Sequence, residues 1–326
     1  MRCRPRQPTR RAQGGAAILT AMLTVVLVAT LASTVLWQQW RGVEVEAAER
    51  SRTQSAWVLT GALDWARLIL REDARKGGAD HLGEPWAVPL EEARLSTFLA
   101  ADRTDAQESD AAQEAFLSGQ IVDLQSRLNV VNLVQDGKIS EPSRLAFARL
   151  FELLNLPASE LAAMAENLRL AQDNRPEAGS NPAAPLWPQE ADQLAWFGLS
   201  PRTVAMLRPY ITILPVRTPV NLNTASAEVI YASVEAFDLA EAQRLVRSRD
   251  MTHLAALSDA VKAGGNAAAQ FNEAQHSVTS RFFEVRGALR VEQTTVQEQS
   301  LVQRDGMNVT TLWRKRGVAQ TTASLQ

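Results

Sequence analysis

From Ala16 to Trp40 the chain runs for 25 residues without an ionisable side chain, and beyond that block apolar positions return at helical spacing. As a helix the uncharged run measures about 37 Å at ~1.5 Å per residue, longer than a hydrocarbon core of ~30 Å, so it is predicted to cross a membrane. Leu59, Leu63, Ala66 and Leu70 then form one helical stripe and Val58, Ala62, Trp65 and Ile69 a second beside it. Two adjacent stripes predict that the same helix continues and buries a wide face. Arg71, Arg75 and Lys76 suit the negative end of the helix dipole, and Gly77-Gly78 is expected to stop it.

Two separate stretches carry the period of strands. Phe283, Val285, Gly287, Leu289 and Val291 alternate with Glu284, Arg286, Ala288, Arg290 and Glu292, predicting a strand with one buried face, and Val309, Thr311 and Trp313 suggest a shorter partner. Earlier, Gln120 to Val130 is rich in branched residues and follows Gly119. Between them, Lys138 to Gln275 reads as helical. Phe147, Leu150, Phe151 and Leu154 sit at i, i+3, i+4 and i+7, and Leu161, Met164 and Leu168 repeat the pattern after Pro157. A loop with Pro176, Pro182, Pro185 and Pro188 follows; Ser200-Pro201 and the Asp238/Glu241 pair then read as helix starts. The sheet is thus expected to be assembled from segments before and after a long helical stretch.

Charge orients this layout. Arg2, Arg4, Arg6, Arg10 and Arg11 crowd ahead of Ala16 with no acid among them, whereas the far side of the apolar run opens with Arg41 and then Glu44, Glu46 and Glu49. The arginines are expected to stay cytoplasmic and everything after residue 40 to lie outside the cytoplasm, with Trp37 and Trp40 at the distal interface. A conventional secretory signal would be cut after the apolar run, but the nearest small-residue site is Thr30-Leu31-Ala32, and the uncharged run continues past it. The other position is before the run, at Gly14-Gly15 followed by Ala16. Removing the five leader arginines from 34 basic residues leaves 29 against 36 acidic, a balance of −7, and removes Cys3, the only cysteine. The mature chain is then acidic and has no disulfide.

A basic leader ending in glycine directly against an apolar helix resembles the signal of pilins and pseudopilins. That resemblance implies cleavage between Gly15 and Ala16 by a prepilin peptidase, N-methylation of Ala16, and single-pass insertion in the inner membrane. Most relatives carry Glu at the fifth mature position, where it is thought to pair with a neighbour's terminal amine; this chain has Thr20. Type II secretion system protein K also lacks that Glu, as suits a subunit with no neighbour above it, although a tolerated small residue explains Thr20 equally well. Further along, Asp64-Trp65-Ala66-Arg67, Arg71-Glu72-Asp73, Asp80-His81-Leu82-Gly83-Glu84, Asp123-Leu124-Gln125, Leu207-Arg208-Pro209-Tyr210, Pro219-Val220-Asn221-Leu222-Asn223-Thr224-Ala225 and Ser280-Arg281-Phe282-Phe283 are similar, in the same order, to that family.

The resemblance implies an α+β fold in which a long N-terminal helix packs on a small antiparallel sheet, with a large inserted all-α domain. The corresponding layout is a leader over residues 1–15, a transmembrane part over 16–40, pilin-like scaffold over 41–137, the helical insertion over 138–275 and the scaffold's C-terminal strands over 276–326. It further implies a minor pseudopilin at the tip of the periplasmic pseudopilus, supporting protein secretion, with minor pseudopilins I and J as partners and no catalytic activity. Some relatives bind calcium through acidic loop residues; the usual acidic run is absent here, and Asp173, Asn174 and Glu177 offer too few oxygens to assign a metal. No cofactor is therefore expected.

Two other function classes can be set against the residues. Asn221 to Ala225 followed by helices with Arg244, Arg247 and Arg249 resembles helix-hairpin-helix DNA-uptake proteins. The turn Val234-Glu235-Ala236-Phe237-Asp238 has no glycine to bring amides to phosphate, however, and residues 220 to 262 hold six acids against those arginines and Lys262. Nucleic acid is not expected, and the arginines read as a solvated face. For an enzyme, His81, His253 and His276 have no second ligand at metal spacing in sequence, and no nucleophile or phosphate-loop motif occurs. His81 is expected to make a structural hydrogen bond, and Asp80 and Glu84, beside Gly83 and Pro85, to shape a turn.

Overall fold

The computed structural model describes residues 14–96, 115–173, 185–265, 270–291 and 294–320. The leader arginines and Cys3, together with Pro176, Pro182, Asn174, Glu177 and Glu292, lie outside the described residues. Contacts divide the chain into two units, Met1–Val58 and Leu59–Gln326. The described part of the first unit is helix, the beginning of α1 (Gly14–Lys76), and its apolar window is wholly exposed. Thr20, Thr24, Thr30, Ser33 and Thr34 each donate a hydroxyl to a carbonyl three or four residues back. An apolar solvent would therefore meet no unpaired side-chain donor among these hydroxyls.

The second unit begins with the end of α1, which stops at Lys76 just before Gly77 (φ 66°) and Gly78 (φ 115°), as expected. Strands β1 (Leu90–Arg94) and β2 (Ala115–Asp123) come next, and the chain then leaves the sheet. Short strands β3 (Leu128–Asn129), β4 (Val134–Gln135) and β5 (Lys138–Ile139) lead into α2 (Glu141–Leu153) and α3 (Ala158–Asp173). A 3-10 turn at Ala191–Phe197, α4 (Pro201–Leu207), β6 (Ile211–Thr212) and β7 (Val220–Asn221) precede α5 (Ala227–Ser233), α6 (Leu239–Met251) and α7 (Leu257–Gly264). After β8 (His276–Ser277) the chain returns to the sheet as β9 (Phe282–Val291), β10 (Thr294–Asp305) and β11 (Asn308–Gln320). The five long strands form one antiparallel sheet in the order β1-β2-β9-β10-β11.

Leu63, Ala66 and Leu70 of α1 pack with Trp86 of the 3-10 turn Pro85–Ala87 and with Phe283, Val285, Val302 and Val309 on the sheet. The predicted second stripe is less buried than expected: Trp65 is 46% exposed, and Ala62 and Ile69 are half-buried. Its cause is in the sheet. Register places Leu90, Gly119, Gly287, Glu298 and Arg316 in one row across the strands. The two glycines leave the floor without side chains, and a cavity of about 240 Å³ opens beneath Ala62, Trp65 and Ile69. Gly287 is also close to α1, since a Cβ there would meet Leu59 Cδ2 at 3.2 Å. Glu298, 4% exposed in this row, is held by Arg316 at 2.5 Å and Arg314 at 3.2 Å.

The helical region has its own core, built from residues between Leu128 and Ala260, with Phe147, Leu150, Met164, Leu168, Phe197 and Leu207 at its centre. The predicted starts hold: Ser200 Oγ accepts from Thr203 N, and Asp238 and Glu241 form a capping box. Pro157 separates α2 from α3. The region is not helical throughout, because β3 pairs in parallel with β6 and β7 with β8, so the Asn221 motif opens in extended backbone. The strand expected over Gln120 to Val130 runs over Ala115–Asp123, because the Asp123 side chain accepts from Gln125 N and turns the chain into a 3-10 helix. In β9 the expected one-sided burial fails for Phe282 to Val285, all buried, since Leu124 and Leu214 cover Phe282 and Leu301 on the other face. The neighbour of β9 on its C-terminal side is β10, which the sequence pattern did not reveal, and β11 lies beyond it.

Candidate functional site

On the membrane-type segment, Thr20 Oγ1 donates to the Ala16 and Ala17 carbonyls at 3.0 Å each, so the position carries no charge and closes its hydrogen bond within its own helix. Trp37 and Trp40 are exposed, and the Arg41 guanidinium lies 5.0 Å above the Trp37 ring. The Gly15 and Ala16 pair falls at the start of α1.

In the second unit, residues that are far apart in sequence meet in one buried polar knot. Asp123 is 3% exposed and accepts four hydrogen bonds: from Gln125 N at 2.7 Å on Oδ1, and on Oδ2 from Thr224 Oγ1 at 2.6 Å, Ser280 Oγ at 2.6 Å and Asn221 Nδ2 at 3.1 Å. Asn221, wholly buried, also donates to the Asp80 carbonyl at 3.2 Å and to Ser280 Oγ at 2.9 Å, and its Oδ1 accepts from Asn223 N at 3.0 Å. Gln125 ties the same place twice more, donating to Pro219 O at 3.2 Å and accepting from Arg281 N at 2.7 Å. A buried carboxylate with fewer donors would be costly, which is the physical need that this set of residues meets. Burial raises the Asp123 pKa, and the four donors oppose it.

Beside the knot, Arg304 joins the end of α1 to the turn after it. Its Nη1 donates to Asp73 Oδ2 at 2.6 Å, and its Nη2 to Asp80 Oδ1 at 2.5 Å and Ser280 O at 2.8 Å. Asp80 Oδ2 accepts from Ser280 N at 2.6 Å. Glu84 closes the turn, accepting from His81 N at 2.9 Å and Trp86 Nε1 at 2.8 Å; burial pushes its pKa up to about 7, with the Asp73 carboxyl adding to the rise. The expected turn role of Asp80 and Glu84 is thus what the geometry gives. His81 makes its structural hydrogen bond by accepting from Gly83 N on Nδ1, and its ring stacks on His253 at 3.9 Å, a neighbour that sequence spacing did not disclose.

Asp73, Asp80 and Glu84 bring their oxygens within 4.8 Å of one another, the one such acidic group among the described residues. It does not fit a metal ion, because Arg304 takes the Asp73 and Asp80 oxygens while the His81 amide and the Trp86 indole take Glu84. Asp173 lies at the end of α3, and the other two candidate calcium ligands fall outside the described residues.

Other arginines have roles that their sequence context hid. Arg149 donates to the carbonyls of Tyr231 and Glu235 at 3.0 and 2.8 Å and to that of Phe237 at 2.5 Å, satisfying the end of α5 and the turn that leads to α6, and lies 4.2 Å above the Tyr231 ring. Arg67 on α1 donates to Val309 O at 2.7 Å. Arg249 is a correction. It is 7% exposed rather than solvated, donates to Leu222 O, and has Asp250 Oδ1 at 3.7 Å as ion partner. It stands on the one buried line of α6, beside Ala242 and Leu245, at i, i+3 and i+7, which is the signal that could have found it.

Two family models, both described as Type II secretion system (T2SS), protein K, match residues 126–216 and 220–279. The chain is 27% identical over 327 residues to a type II secretion system protein K from Pseudomonas aeruginosa, covering 94% of this chain and 90% of that protein. It is 26% identical over 338 residues to a protein of the same description from Pectobacterium carotovorum subsp. carotovorum, covering 94% and 98%. Its fold is similar to a chain in the crystal structure of the GspK-GspI-GspJ complex from the enterotoxigenic Escherichia coli type 2 secretion system. The TM-score is 0.62 at 17% identity, over 83% of this chain and 98% of that one.

Proposed function

We infer that this chain, a member of the type II secretion system protein K family, works as a minor pseudopilin placed at the tip of the pseudopilus. The observation that carries this reading is α1, a single 63-residue helix with two different surfaces. Its first part is apolar, uncharged and exposed, and its last turns bury Leu63, Ala66 and Leu70 on a sheet. Such an element can dock among like helices in a bilayer while holding a folded body outside it.

The rest of the assignment extends from that helix. A prepilin peptidase would cut between Gly15 and Ala16, Ala16 would be N-methylated, and the leader arginines would keep the N-terminus cytoplasmic with the second unit in the periplasm. Thr20, closed on its own helix, offers no carboxylate to a following subunit's amine, which suits the last position of a filament. The relative whose fold this chain shares was crystallised with proteins I and J, so the corresponding minor pseudopilins are the proposed partners. Trp65 and Leu68, 46% and 43% exposed on α1, offer apolar surface for a neighbouring helix. The role is structural and no residue is assigned a catalytic part.

The mass and N-terminal sequence of the mature protein test the processing: N-methylated Ala16 is expected, an intact Met1 would leave a plain anchor, and a start near Ser33 would overturn the reading. Co-purification of the full-length protein with its I and J counterparts in detergent tests the tip assignment, which fails if no ternary complex forms.

A further inference from the structure

A cleft of about 390 Å³ lies in the helical region, where the first turn of α2, the loop before β7 and the Asn272–Gln275 turn meet. That volume falls in the range of small-ligand sites, roughly 300–1,000 Å³. Ala146 and Phe147 are on its apolar floor, and uncharged amides and hydroxyls make up most of its polar wall. Its lining includes no acid and a single ionisable side chain, Arg217. The arginine falls between the two segments matched by the family models.

Arg217 is exposed, and no ion pair or hydrogen bond reaches its side chain among the described residues. Its backbone, by contrast, is pinned on both sides. Asn129 Nδ2 donates to Val216 O at 2.8 Å; Asn132 donates to Thr218 O at 2.7 Å and accepts from Thr218 N at 3.1 Å. Two asparagines thus spend their hydrogen bonds on holding an unpaired cation at the edge of an apolar cleft, a preorganised arrangement for an anion. Among the described residues most arginines have acidic or carbonyl partners, and Arg217 combines the lack of one with a place on a cleft without acids.

We propose that this cleft captures the C-terminal end of an extended polypeptide, with the terminal carboxylate on Arg217 and the last apolar side chain over Ala146 and Phe147. A guanidinium matches a planar carboxylate with two parallel hydrogen bonds. Gln135 and Gln275 are placed on the wall to meet peptide groups, since a side-chain amide both donates and accepts. One cation and an apolar floor suit a single carboxylate on an apolar residue better than a polyanion, which would need several cations. The exposed Glu273 and the Arg144-paired Glu141 are chain neighbours of the lining and would disfavour a highly acidic ligand.

The test uses full-length protein in detergent and a fluorescent hexapeptide ending in Ser-Leu, as the free acid and as the C-terminal amide, read by anisotropy. Saturable binding of the acid is expected, with the amide weaker by about tenfold or more. Arg217→Gln, at an exposed position that leaves the core untouched, should bring the acid down to the amide's affinity. Equal affinity for acid and amide, no saturable binding, or equal binding of an amidated peptide with an internal Asp would overturn the proposal. Because no I or J subunit is present, the outcome is independent of the tip assignment.

Discussion

Thr224 donates its hydroxyl to the Asp123 carboxylate at 2.6 Å, across 101 residues of chain. This contact fastens the Asn221 motif to the end of β2, at a point where both partners are buried. Thr224→Val keeps the shape and removes the donor, and is expected to cost about 1.5–3 kcal/mol, the range for a hydrogen bond to a charged group. Asp123→Ala should cost more, because it strips Asn221, Thr224 and Ser280 of an acceptor together. Urea unfolding of the two variants checks the order; a neutral Asp123→Ala would show that the knot does not hold the fold.

Arg304 is the sole guanidinium on Asp73 and Asp80 among the described residues, with 9% of its side chain exposed. Arg304→Met retains the bulk against Phe283, over whose ring the guanidinium lies at 4.8 Å, and leaves two carboxylates uncompensated. A loss of about 3–5 kcal/mol is expected. Hydrogen exchange should rise first at the end of α1 and in the turn of Asp80 to Glu84, and protection there equal to wild type would contradict the assignment.

Glu84 and His276 give opposite pH dependences. Glu84 is raised from 4.5 to about 7, so the folded state holds more protons than the unfolded state across that window and its contribution is lost as pH rises through it. His276 is lowered from 6.5 to about 4 by burial, so its contribution is present above 6.5 and is lost as pH falls toward 4. Its Nε2–H donates to Ser233 O at 3.2 Å, which the neutral ring can do. In the wild type the two slopes partly cancel where the windows overlap. Tm measured from pH 4 to 8 should therefore fall more steeply toward acid in Glu84→Gln, and less steeply in His276→Gln.

Leu68 is exposed on α1 and should matter to assembly more than to folding. Leu68→Arg is expected to shift Tm little, within about 0.5 kcal/mol of the wild-type stability, since surface substitutions rarely do more. Co-purification with the I and J counterparts should drop at least about tenfold, as a charge in an apolar helix contact is left unpaired. Undiminished co-purification would move the contact to another face of α1.

Much of this architecture was readable because period and composition report directly on burial. The end of α1 at Gly77-Gly78, the starts of α4 and α6 and the strand at Phe283 follow from local spacing and capping chemistry. β10 was not readable: Glu298, Ser300 and Arg304 break its apolar alternation, and each is buried because an arginine, a register neighbour or an aspartate reaches it from elsewhere in the chain. The same holds for the knot. Asp80, Asp123, Asn221 and Ser280 each belong to a quoted motif, yet only folding reveals that these motifs are one cluster. Arg249 differs from Arg244 and Arg247 in standing on the buried line of α6, a place that its charge masks.

Asp123 and Phe283 are register partners, so the long helical region leaves and rejoins the sheet at the same end of two paired strands. Mechanically this is a zipper with both tabs together. A force on the helical region directed away from the sheet loads the β2–β9 ladder one rung at a time instead of all rungs at once, the mode in which hydrogen-bonded strands resist least. The rung that would open first is the one clasped by Thr224, Asn221 and Ser280. For a force in that direction, the buried clasp therefore stands as the stop on the zipper.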